Sequence, residues 1–262
     1  MTLAIHHFSN MTQAAEALAR AVAARLSAAI ERQPRALLLV SGGRSPIVFF
    51  EVLREQPVDW QRIDISLVDE RSVTRGADDS NASLVRAHLM GGAAAAARWI
   101  GLMPDDAALV GPDSWQWAQQ AAAEANRNAA LAQPAAIVLG LGSDGHTASL
   151  FSDAAQWPLA QVTPERYLAV QPGVAPHARV GLSLAALRQQ GVCHVWAAGA
   201  EKLRVLTRLQ QVVERGGPAL TGAAATPTRT VPPWLSAAGP MACLIADPGV
   251  TVHAYCSVDA VD

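Results

Sequence analysis

Strand-like apolar runs alternate with helix-like segments along this 262-residue chain, which predicts an α/β protein with a mostly parallel sheet covered on both faces. Three observations carry the prediction. Short apolar runs recur at residues 35–40, 63–68, 135–139 and 192–197, each long enough for a buried strand. Stretches with one apolar face at helical spacing lie between them. The polar and glycine-rich clusters fall just after the runs, where parallel sheets place their ligands, outside the carboxyl ends of the strands.

The elements follow in order. Residues 10–32 are alanine-rich, and Leu18, Val22, Leu26 and Ile30 recur every four positions on one helical face. The strand at 35–40 is broken by Ser41-Gly42-Gly43-Arg44-Ser45-Pro46, and Pro46 suits the first turn of a helix over 47–55. The strand at 63–68 ends at Asp69-Glu70-Arg71, and Ser80 or Asn81 can cap a helix running to His88. A short strand is expected near Trp99 and Ile100, a helix over 114–131, and a buried strand over 135–139. Residues 167–170 and 180–184 read as short strands, 192–197 as a longer one, 201–214 as a helix, and 241–246 as a final buried strand. Residues 216–233, rich in Gly, Ala, Thr and Pro, read as a long surface loop.

Composition narrows the class. Apolar residues make up 51% of the chain and charged residues 16%, enough apolar material for a sizeable core in one domain over 1–262. A formal charge of −2 excludes broad electrostatic attraction to nucleic acid or anionic membranes, though not a local anion site. Cys193, Cys243 and Cys256 are few, odd in number and far apart, so neither a disulfide framework nor a zinc knuckle is expected. Met1 to His7 contain no basic segment leading into a long apolar run, and no apolar stretch is long enough to span a membrane. A cytoplasmic protein is expected.

The most informative segment is Gly140-Leu141-Gly142-Ser143-Asp144-Gly145-His146-Thr147-Ala148-Ser149-Leu150-Phe151, directly after the strand at 135–139. Its glycines allow a sharp turn and close approach to a ligand. A histidine in such a turn can take a proton from water near neutral pH. At Ser41–Ser45, backbone amides, hydroxyls and a helix end can together hold a phosphate, although a plain Gly-Gly turn is also consistent with that stretch. The loop matches neither G-x-G-x-x-G nor the Walker pattern, so no nucleotide site is indicated. In Asp69-Glu70-Arg71, strand alternation sends Asp69 and Arg71 to one side and Glu70 to the other. Lys202 stands at a helix start, where a cation opposes the helix dipole.

The order of these clusters, with Ser80-Asn81 after the second and Arg179 to Leu184 before Gly199-Ala200-Glu201-Lys202, resembles the 6-phosphogluconolactonases. The resemblance runs from about residue 35 to 206. It implies a modified Rossmann-type three-layer sandwich, similar in fold to glucosamine-6-phosphate deaminases and ribose-5-phosphate isomerases. The deaminases usually read Asp-Glu-Tyr at the second motif; Arg71 and Thr147 to Phe151 favour the lactonase branch. Thr74 and Ser152 stand where prolines are common, and Gly181 replaces a hydroxyl or β-branched residue.

The implied activity is hydrolysis of 6-phospho-D-glucono-1,5-lactone to 6-phosphogluconate in the oxidative pentose phosphate pathway. His146 is then the general base, Asp144 orients it, Arg71 stabilises charge at the reacting carbonyl, and Asp69 positions Arg71 or the sugar hydroxyls. Ser41, Gly42, Gly43, Arg44, Ser45, Arg179 and Lys202 would hold the phosphate. The resemblance calls for no cofactor, metal or covalent nucleophile, and the expected partner is the small phosphosugar lactone, with no nucleic acid or membrane. A monomer or weak homodimer is expected. The rival readings are an isomerase or deaminase on the same scaffold, and a silent sugar-phosphate sensor. The retained His146 and Asp144 speak against the sensor, since binding phosphate needs neither.

Overall fold

The computed structural model describes residues 3–74, 76–104, 114–173, 175–216 and 231–258. The chain opens with strand β1 (Leu3–Phe8) and helix α1 (Met11–Ile30). Asn10 starts α1 by accepting the Gln13 amide at 2.9 Å, and Leu18, Val22 and Leu26 on its inner face are fully buried. Then follow β2 (Ala36–Val40), α2 (Ile47–Leu53), β3 (Ile63–Leu67), β4 (Asp69–Arg71), α3 (Asn81–His88), β5 (Arg98–Trp99), α4 (Ser114–Arg127) and β6 (Pro134–Leu139). The second half holds α5 (Trp157–Ala160), β7 (Tyr167–Val170), β8 (Arg179–Leu182), α6 (Leu184–Arg188), β9 (Val192–Ala198), α7 (Ala200–Arg215), α8 (Pro233–Ala238), α9 (Pro240–Ala246) and β10 (Thr251–Ser257).

Seven strands form one sheet in the order β1-β10-β9-β6-β2-β3-β5, every neighbouring pair parallel. The α/β sandwich with a mostly parallel sheet is therefore present. β2 pairs with β3 on one side and with β6 on the other, so the winding reverses between β2 and β6. The crevice at such a switch point is where open parallel sheets bind ligands. A second, antiparallel sheet, β4-β8-β7, lies beside it.

Several elements differ from the sequence expectation, each for a local reason. Residues 240–246 form helix α9, not a strand; all seven are buried, so no polar face betrays the helical period. Pro240 in its first turn and Gly239 at φ +96° before it set the start. The last strand is instead β10, which carries His253 and Tyr255 between Val252, Ala254 and Cys256, and its edge partner β1 was likewise not expected. β8 ends at Leu182, because the Ser183 hydroxyl accepts the Ala186 amide at 3.1 Å and starts α6. α4 stops at Arg127, and a separate 3-10 turn occupies Ala129–Leu131. Asp69-Glu70-Arg71 leaves the central strand to found the second sheet. Most of the loop expected at 216–233 lies outside the described residues.

Beneath α1, one sheet face carries His194 of β9, His253 and Tyr255 of β10, and His6 of β1, with the Arg25 guanidinium of α1 nearby. His194 is buried and neither ring nitrogen finds a partner. Burial first, then the neighbouring Arg25, His253 and His6 charges, pushes its pKa down to about 4. The unfolded chain takes up this proton near pH 6.5 and the folded chain only near 4, so stability is lost as pH falls through that window. The loss amounts to on the order of 3 kcal/mol by its lower end. Thermal melts of His194→Leu between pH 7 and 4.5 should show a shallower decline in Tm than wild type; parallel declines would remove His194 from the acid response.

Candidate active site

The carboxyl ends of β2, β6 and β9 open into one cavity of about 290 Å³, closed on a further side by β4 and β8. The loop after β2 is tied to β6 by the Ser41 amide on the Val138 carbonyl at 2.9 Å. The Gly140 amide returns to Ser41 Oγ at 2.9 Å, and Thr147 Oγ1 donates to the Gly140 carbonyl at 2.8 Å. Ser41, Gly42, Gly43, Arg44, Ser45, Asp69, Arg71, His146, Arg179 and Lys202 all line the cavity. Asp144 does not; it stands behind His146.

The glycine-rich turn after β6 holds that pair. The Gly142 amide donates to the His146 carbonyl at 2.9 Å, and Gly145 closes the turn at φ +88°. Asp144 Oδ1 accepts the His146 amide at 3.1 Å and lies 2.5 Å from Nδ1. An ionised carboxylate only accepts, so the neutral ring keeps its proton on Nδ1 and leaves Nε2 with a free lone pair. Burial alone would raise the Asp144 carboxyl, but the amide and imidazole of His146 outweigh it and hold it below the usual carboxylate range. Phe151 supports the imidazole from its face, with centroids 4.4 Å apart. A side chain at Gly142 would enter the imidazole and come 2.6 Å from Asp144 Oδ1.

β4 aims its side chains as alternation requires. Asp69 and Arg71 face the cavity, while Glu70 turns away and is buried. Glu70 accepts from the Arg71 amide at 2.7 Å, the Asn81 amide at 2.9 Å, the Ala82 amide at 2.7 Å and Ser80 Oγ at 3.2 Å. Asn81 then donates from Nδ2 to the Asp69 carbonyl at 2.9 Å, and its Oδ1 fills the space that a side chain at Gly42 would need.

Across the second sheet Arg71 sits opposite Arg179 and Asp69 opposite Gly181. Asp69 accepts a short hydrogen bond from Ser149 Oγ. Ala148 at φ +52° and Ser149 at φ +58° hold left-handed backbone conformations without being glycine, a cost concentrated at this site. Gly181 departs from the family-like pattern for a visible reason, since a side chain there would lie 2.5 Å from the Ala148 carbonyl oxygen.

Arg44, Arg71, Arg179 and Lys202 bring four cations to the cavity. Arg179 is 8% exposed and lies over Phe151 at 5.2 Å; its Nη atoms reach only long acceptors, Ser149 Oγ at 3.4 Å and the Pro176 carbonyl at 3.5 Å. Burial pulls its pKa down from the ordinary guanidinium value, opposed by the Asp69 charge. Arg71 donates to the Asp79 carbonyl at 2.8 Å. Among the described residues none of these three arginines, nor Lys202, forms an ion pair. Lys202 is also the only lysine of the chain, a signal legible in the sequence and stronger than its place at a helix start. Glu70, Asn81, Ser149 and Trp196 were not singled out for the site. Trp196 gives no sequence signal, because a tryptophan in a buried strand reads as core. Among the described residues no three His, Cys, Asp or Glu side chains stand together as a metal site.

The family model for glucosamine-6-phosphate isomerases/6-phosphogluconolactonase matches residues 9–232. A 6-phosphogluconolactonase of Pseudomonas aeruginosa is 42% identical over 204 residues, covering 76% of this chain and 82% of that protein. One from Neisseria meningitidis is 37% identical over 215 residues, covering 81% and 90%. Among solved structures, a 6-phosphogluconolactonase from Shewanella baltica superposes with a TM-score of 0.79 at 29% identity, covering 98% of each chain.

Gly142→Ala should displace the His146–Asp144 pair, whose atoms are the nearest to the added side chain. A misplacement of about an ångström costs on the order of 10²-fold in kcat. The variant should therefore lose kcat while its affinity for 6-phosphogluconate stays near wild type, and wild-type kcat would show that the void at Gly142 is not needed.

Proposed function

We infer that this chain, which belongs to the glucosamine-6-phosphate isomerase/6-phosphogluconolactonase family, is an enzyme that hydrolyses 6-phospho-D-glucono-1,5-lactone to 6-phospho-D-gluconate, with the His146 imidazole activating the water. One observation carries the reading: a histidine with its Nδ1 taken by a carboxylate faces the same small cavity as four cations, Arg44, Arg71, Arg179 and Lys202, that form no ion pair among the described residues. A base and an anion anchor in one cavity are what hydrolysis of a phosphorylated lactone needs.

Water adds to C1 of the lactone as His146 Nε2 takes its proton. The imidazolium that forms is stabilised by Asp144 at Nδ1. Negative charge grows on the carbonyl oxygen and is met by Arg71, which Asp69 and the Glu70-capped α3 hold in place. As the tetrahedral species collapses, the C1–O5 bond breaks and O5 leaves with the proton returned from His146. The Ser41–Ser45 loop, Arg179 and Lys202 take the phosphate.

A pH-stat assay on freshly made lactone, corrected for spontaneous hydrolysis, tests the reading. His146→Ala should lower kcat roughly 10²–10⁴-fold and change 6-phosphogluconate affinity little. Asp144, held below the carboxylate range, stays ionised and keeps its hold on Nδ1 through the pH range of the assay. Near-wild-type kcat in the variant would take the base away from His146.

Anchor and catalyst separate on two substrates. A charge-assisted bond contributes about 1.5–3 kcal/mol, so Lys202→Ala should weaken 6-phosphogluconate binding about tenfold or more. Turnover of unphosphorylated gluconolactone should barely change, whereas Arg71→Ala should impair both lactones. Equal losses on both for Lys202→Ala would move Lys202 off the phosphate.

A further inference from the structure

One aromatic donor on the cavity wall has no part in the chemistry above. Trp196 of β9 is 3% exposed and lines the cavity. Its indole N–H reaches Ser45 in the loop after β2, at 2.9 Å from the carbonyl oxygen and 3.1 Å from Oγ. The ring stacks on Phe49 of α2, with centroids 6.2 Å apart and planes at 27°. The indole is therefore fixed between a central strand and the helix that follows the loop, and one N–H meets both acceptors of a single serine.

The donor inventory gives this contact a direction. An indole N–H only donates, whereas a serine hydroxyl has one O–H and two lone pairs. With its carbonyl and one hydroxyl lone pair turned to Trp196, Ser45 keeps its O–H for another acceptor, and Ser45 itself lines the cavity. Gly43, at φ +96° two residues earlier, leaves the loop free to take this course. Without the indole, the Ser45 hydroxyl could rotate freely, and its O–H would lose its fixed direction.

We propose that Trp196 is a positioning residue for phosphate recognition, holding Ser45 so that its O–H donates to a phosphate oxygen of the substrate; this rests on the assignment of the loop to the phosphate end. The test is calorimetric binding of 6-phosphogluconate and of gluconate to wild type, Trp196→Phe, Ser45→Ala and the double variant. Phenylalanine keeps a ring against Phe49 and removes the N–H together with the second ring of the indole.

Each single variant should weaken 6-phosphogluconate binding about three- to tenfold, the worth of one hydrogen bond. The double variant should be no weaker than the worse single, because Trp196 acts through Ser45. KM for the phosphorylated lactone should rise in proportion while kcat holds, and unphosphorylated gluconolactone should be unaffected. Wild-type affinity in Trp196→Phe, additive losses in the double variant, or equal loss on the unphosphorylated lactone would each overturn the proposal. If Trp196→Phe does not fold, unchanged affinity in Ser45→Ala overturns it alone. A wild type that binds gluconate as tightly as 6-phosphogluconate would instead refute the phosphate assignment beneath it.

Discussion

The carboxylate of Glu70 is the constraint on which the cavity depends. It is 2% exposed, and burial raises its pKa against the pull of the amides of Ala82, Asn81 and Arg71. A charge removed from water costs several kcal/mol unless donors replace the water, and here four do so. Two of them are the first amides of α3, the positive end of that helix. A third is the amide of Arg71, so one carboxylate fastens β4 to α3. Fastened this way, a three-residue strand can present only Asp69 and Arg71 to the cavity. It also carries Asn81 up to the Asp69 carbonyl and against Gly42, which joins the second sheet to the loop after β2.

What was legible in the sequence follows from which signals are local. The central strands β2, β3, β6 and β9 are apolar runs ended by turn residues, and their polar clusters sit where a parallel sheet gathers them. The cavity accordingly brings together all the expected site residues except Asp144, whose place behind His146 suits the orienting role expected of it. The misses are of another kind. An apolar run buried on all sides, as in α9, shows no period, and Gly239 and Pro240 were the only cues to its helical start. β1 and β10 alternate apolar residues with histidines and a tyrosine that α1 covers, and such a pattern resembles a solvated edge until the covering helix is known. Glu70 could be assigned a direction from strand alternation, but three of its four partners lie ten to twelve residues on, and three of the four are backbone amides, which no residue type advertises.

The third motif combines strain with charge. Ala148 and Ser149 adopt left-handed backbone that side chains disfavour, and in return Ser149 Oγ reaches Asp69. That bond occupies a carboxylate whose charge reaches Arg179, as do those of Asp79 and Glu70, so Asp69 tempers the field of the two guanidiniums without pairing with either. Gly181 is part of the same arrangement. A larger residue would collide with the Ala148 carbonyl, and the strained turn could no longer sit over β8. The lost side chain at 181 and the strained backbone at 148–149 are thus two sides of one packing solution.

Lys202 differs in kind from the other cations of the cavity. Every other basic side chain of the chain is arginine, nineteen of them, so arginine serves wherever charge or a planar fork is enough. Position 202 holds the single lysine, a compact charge with three rotatable donors, in the first turn of α7. A cation there opposes the helix dipole by several tenths of a kcal/mol; Glu201 in the same turn suits the dipole, but among the described residues no carboxylate pairs with Lys202. Helix stability therefore gives no reason for Lys202. An anion lying between Lys202 and the Ser41–Ser45 loop, both of which line the cavity, would satisfy the ammonium and turn a local conflict into attraction. The larger the charge on that anion, the more of the conflict it removes, and a doubly charged phosphate does this better than a carboxylate.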